Sequence, residues 1–154
     1  MSVHLAHYLG LLERAERDLA AAYRDVADEH RDEPDVAQQC HLLAAQCDDH
    51  AARIGPFLEG YGHGADREPD RLHTQLFTGT RSGGLGLLRD LHDLFLMATE
   101  CDIAMVLIRQ GALGARDRAL VAVVDRSEGE TAGQLRWLRT RMMAAAPQAL
   151  VVAR

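Results

Sequence analysis

The sequence contains no lysine. All 17 of its basic residues are arginine, set against 23 acids for a formal charge of −6. Nucleic-acid binding needs a concentrated basic surface, and here the arginines alternate with acids along the chain, so a nucleic-acid partner is not expected. Apolar runs never approach the roughly 18 residues of a membrane span. The opening Met-Ser-Val-His-Leu-Ala-His-Tyr lacks the basic-then-apolar order of a secretory leader, and a cytoplasmic protein is expected. Ser82 and Ser127 lie in no nucleophile elbow, and no glycine-rich phosphate loop follows a strand. Cysteines number only three, Cys40, Cys47 and Cys101. Cys40 and Cys47 fall two turns apart on one helical stretch, about 10 Å, which is beyond disulfide reach. Reduced, buried thiols are the expectation.

What the sequence does have is helical periodicity. With 5% aromatic residues and four prolines, the composition is that of a helical protein, and 154 residues suit one domain, 1–154. The spacing predicts helices over about 3–30, 35–59, 85–113 and 117–146, with a crossover at 60–84. Ser2 suits the first N-cap. Helix one carries the seam Leu5, Leu9, Leu12, Glu16, Leu19, Tyr23, Val26, His30. Helix two carries Val36, Cys40, Leu43, Cys47, His50, Ile54, Phe57, Tyr61. Both alternate steps of four and three, which keeps one face on a partner. Pro34 suits a helix opening, whereas Pro56 predicts a kink or an early end near Gly55. Six glycines punctuate the crossover, a short helical piece is plausible over Asp70 to Phe77, and His63 and His73 are read as surface residues. Helix three buries Leu87, Leu91, Leu94, Ala98, Cys101, Met105 and Ile108 on one side. Its other side, with Leu96, Ile103 and Leu107, is also apolar. The best seam of helix four is Val121, Val124, Glu128, Thr131, Leu135, Leu138, Met142, Ala145.

The fold class that follows is all-α, an antiparallel four-helix bundle of two hairpins joined by a long crossover. Short turns allow a height calculation. Glu16 lies about 17 residues before the centre of the first turn and His50 about 17 after it, so both sit roughly 25 Å from that turn. Cys47 is one turn from His50 on the same face. In the second hairpin Glu100, Glu128 and Glu130 also fall near mid-height, and the sequence leaves open whether Glu128 or Glu130 faces the core.

This pattern resembles the ferritin-like superfamily of carboxylate-bridged di-iron and di-manganese proteins. Those place one Glu on each of two helices and a Glu-x-x-His pair on each of the others. Glu16 matches the lone Glu of helix one, and Glu100 that of helix three. In helix two His50 matches the His, while Cys47 stands where Glu belongs. Helix four offers Glu128 and Glu130 with no His three residues later. A looser likeness, through His7-Tyr8-Leu9, Leu11-Leu12 and Ala145-Ala146-Pro147-Gln148-Ala149-Leu150, is to small actinobacterial ferritin-like proteins, some of them labelled with a molybdopterin oxidoreductase. That label implies association with a redox complex.

Two readings follow. In one, a degenerate site of Glu16, His50, Glu128, Glu100, Glu130 and Cys47 holds iron or manganese, with zinc favoured only if a thiolate joins; any enzymatic activity would be oxygen or peroxide chemistry. In the other, the chain is a metal-free accessory or scaffold subunit acting through protein contacts. The second apolar face of helix three predicts a homodimer, with Trp137 of helix four nearby.

Overall fold

A computed structural model of the chain describes residues 3–62 and 76–152. Four helices account for most of them: α1 (Val3–Glu29), α2 (Pro34–Gly60), α3 (Gly83–Gly114) and α4 (Arg118–Pro147), followed by a π-helical turn, Gln148–Val152. No strand occurs among the described residues. The expected N-cap Ser2, and His63, His73 and residues 70–75 of the crossover, lie outside them. Leu76 and Phe77, at the end of the expected short helix, are not helical.

The turns show why the helices begin where they do. Pro34 opens α2 with its fixed φ and missing N–H. Asp117 caps α4, its Oδ1 accepting the Leu120 N–H at 3.0 Å, and its Oδ2 accepts the Tyr61 hydroxyl at 2.8 Å. Pro56 does not end α2, which continues to Gly60. The carbonyl that Pro56 leaves without its helical donor is that of Ala52, and both residues are on the exposed face, where water replaces the lost bond. Gly86 is required for a different reason. A Cβ there would lie 2.7 Å from the carbonyl carbon of Arg81, because the strap before α3 lies against the helix's first turn.

Contacts fix the directions. α1 and α2 pack as one hairpin, and α3 and α4 as the other. His30 at the end of α1 meets Asp90 near the start of α3, while Leu5 at the start of α1 lies beside Gly111 near the end of α3. Thus α1 and α4 run one way and α2 and α3 the other. The crossover joins opposite ends of the bundle, as Tyr61 at Asp117 and Arg81 at Asp90 require. No helix among the described residues is long and apolar enough to cross a membrane.

The seams expected in α1 and α3 are buried along their whole length, and that of α2 from Val36 to Ile54. All three cysteines are buried and free. The seam of α4 is rotated from the expected one. Its buried residues are Leu120, Val124, Ser127, Thr131, Gln134 and Leu138, while Val121, Glu128, Leu135 and Met142 are half-buried. This series also alternates four and three. Apolar ranking favours Glu128–Leu135 over Ser127–Gln134 by Leu135 alone, and packing reverses the choice because Gln134 finds partners in the core. The closing turn docks through Ala149 and leaves Leu150, Val151 and Val152 exposed.

Candidate functional site

Matched height becomes contact at the middle of the first hairpin. Glu16 and His50 are both 0% exposed, and His50 Nδ1 lies 3.2 Å from Glu16 Oε1. The other ring nitrogen, Nε2, lies 3.2 Å from Glu130 Oε1 on α4. Glu130 is 30% exposed and sits 3.9 Å from Arg126, one turn earlier. Three helices therefore contribute one side chain each to a Glu–His–Glu chain that runs from the core to the surface.

Proton counting constrains this chain. A neutral imidazole has one N–H and so can donate to only one carboxylate. With both nitrogens facing carboxylate oxygens, the fully bonded state is the imidazolium, donating from Nδ1 to Glu16 and from Nε2 to Glu130. Burial alone lowers the ring's pKa, but the hydrogen bond and charge of Glu16, and then those of Glu130, outweigh it and raise the value above 6.5. The second oxygen of Glu16, Oε2, is buried with no hydrogen-bond partner. Glu16 is thus half satisfied, an expensive condition for a carboxylate away from water.

Around this chain lies a polar but uncharged shell. Gln134 accepts the Tyr23 hydroxyl at 3.0 Å and donates to Gln46 at 3.1 Å. The Cys47 sulfur is 3.7 Å from its Nε2. Desolvation first, and the charge of Glu16 second, push the thiols of Cys47 and Cys101 well above the ordinary thiol range. Cys40 is raised to about 12, by burial and then by Asp35. None of the three is a thiolate near neutral pH, so none is a poised nucleophile. Tyr23 hydrogen-bonds to an amide rather than a base and is raised by the same burial.

Of the six residues expected to form a metal layer, Glu16, His50 and Glu130 come together, and Cys47 stands beside them. Glu128 does not join. Two residues along a helix means about 200° of rotation, so with Glu130 turned to His50, Glu128 lies on the other flank of α4. Glu100 is half-buried on the flank of α3, where its charge acts on Cys101. Among the described residues, no group of three or more His, Cys, Asp and Glu side chains is arranged to hold a metal ion. A carboxylate-bridged metal pair does not fit this donor set, which has one imidazole with both nitrogens engaged.

Sequence reasoning missed Gln134, whose signal is its place in the alternative α4 seam. It also missed a second buried node, at the end of the bundle. There His30 Nε2 lies 2.8 Å from Asp90 Oδ2, which also accepts the Arg81 backbone N–H at 2.9 Å. The Arg81 guanidinium reaches Asp90 Oδ1 at 3.1 Å and Asp93 at 3.0 Å. Asp90 follows the buried positions Gly86 and Leu87 at helical spacing, a polar break in a seam like that made by Glu16. No family model, curated protein or solved structure matches this chain.

Proposed function

We propose that this chain is a helical-bundle interaction module on the ferritin-like plan, working without a resident metal. The observation that carries the reading is the outer face of α3. Leu96, Ile103, Val106 and Leu107 are 40–54% exposed, on a helix whose opposite face is fully buried. A helix apolar on two sides has a second surface to cover. The mid-layer supports the metal-free part. The cation between Glu16 and Glu130 is the His50 imidazolium, which takes the place that a metal holds in bundles with a complete donor set. The polar layer then serves to fix helix register, with α1, α2 and α4 pinned at one height.

A second reading rests on Glu16 Oε2. A buried carboxylate oxygen without a donor is a place for one divalent cation, held by Glu16 and His50 beside Cys47. Iron or manganese suits the oxygen and nitrogen donors, and zinc suits them if the thiol ionises. Metal analysis separates the two readings. Protein purified without a chelating tag, and then incubated with Fe(II), Mn(II) or Zn(II), is expected to retain only traces, with a Tm unmoved by metal or EDTA. Stoichiometric metal that disappears in Glu16→Gln would establish the second reading and overturn the first.

A further inference from the structure

We propose that the partner on the outer face of α3 is a second copy of this chain, with the two α3 helices packed antiparallel. This deepens the interaction-module reading and rests on it. Eleven large apolar side chains are exposed among the described residues, and six of them, Leu85, Leu96, Ile103, Val106, Leu107 and Leu113, belong to α3. Within that set, Leu96, Ile103 and Leu107 are seven and four residues apart, the spacing of a helix–helix seam. The positions between them on the same face are Thr99 and Val106.

A contact between identical chains needs one self-complementary patch, each half meeting its own copy across a twofold axis. An axis passing α3 between residues 101 and 102 sets Leu96 of one copy against Leu107 of the other, twice, with the two Ile103 side chains at the centre. The area is also of the right size. At 40–54% exposure, six such side chains offer on the order of 500 Å² of apolar surface. A standard interface of about 800 Å² per partner that is about 65% apolar, as in homodimers, needs about the same. One chain's patch therefore suffices for a stable dimer, and no second apolar surface is required of it.

Sedimentation or light scattering of the full chain across a concentration series tests this directly. The expected mass is twice the 16.9 kDa chain, falling to one chain in Ile103→Glu and in Leu107→Glu, with far-UV helicity kept. Orientation is tested by cross-linking, since the native thiols are buried. Ile103→Cys is expected to give a disulfide-linked dimer under mild oxidant. Leu85→Cys is not, because the two copies of residue 85 lie about 50 Å apart in the antiparallel pair. A wild type that stays monomeric overturns the proposal. So does a dimer that survives both α3 charges but is lost in Val151→Glu, which would place the contact on the C-terminal turn. Equal cross-linking through Leu85→Cys overturns the antiparallel arrangement. Metal content enters none of these measurements, so this proposal and the metal-free reading fail separately.

Discussion

The bundle buries two histidines against carboxylates, and the two nodes are built differently. At the end of the bundle, both oxygens of Asp90 are occupied, by His30 and by the backbone and guanidinium of Arg81. At mid-height, His50 serves two carboxylates, and one oxygen of Glu16 is left with nothing. The first node has more donors than it needs, so losing one leaves the acid still held. The second has a single donor group holding two acids. A clamp of the first kind fixes the strap before α3 to the end of α1. A layer of the second kind depends on one protonated ring, and any function that responds to protons or cations belongs there.

Deleting each histidine should separate the nodes most widely. His50→Ala leaves Glu16 as a buried anion without a partner, and the expected loss is about 3–5 kcal/mol. His30→Ala leaves Asp90 bonded to Arg81 and should cost only about 1–2 kcal/mol, a hydrogen bond and a partly filled space. Urea denaturation of the two variants checks the ordering, and equal losses would erase the distinction drawn here. A smaller effect is expected from pH. Because the folded-state pKa of His50 is raised above its model value of 6.5, its contribution is fully present below that value. The contribution fades as pH rises through the folded pKa and the ring loses its second proton. Urea midpoints should therefore fall with rising pH in that window for wild type, and the slope should flatten in His50→Asn. A wild-type slope of the opposite sign would mean that the ring is buried neutral.

How much of this was legible in the sequence depended on which force set each feature. Helix number, extent and the α1 and α3 seams follow from apolar periodicity, a local signal, and the structure agrees with them closely. The meeting of Glu16 with His50 was readable because a short turn converts sequence offset into height. The side of α4 that faces inward was not readable, because the Ser127–Gln134 series and the Glu128–Leu135 series have equal periodicity. Tertiary hydrogen bonds from Tyr23, Gln46 and Cys47 to Gln134 decide between them, and these come from helices distant in sequence. Asp90 was missed for a similar reason. Its partner Arg81 lies before α3, in a segment whose glycines read as loop, and only Gly86 allows that backbone to lie against the helix.

The smallest expected effect bears on that α4 ambiguity. Glu130→Gln keeps a side-chain oxygen near His50 Nε2 but removes a charge. Because Glu130 is 30% exposed, solvent screening limits the stability cost to under about 1 kcal/mol. The ring itself should report the change more clearly, since it keeps Glu16 but loses one of the two anions that raise its pKa. An NMR titration of the His50 ring should therefore shift to lower pH in Glu130→Gln and stay in place in Glu128→Gln. The two substitutions alter net charge equally and differ mainly in which flank of α4 they occupy. If Glu128→Gln moved the His50 titration and Glu130→Gln did not, α4 would be rotated from the position described, and Glu128 would be the residue closing the chain from core to surface.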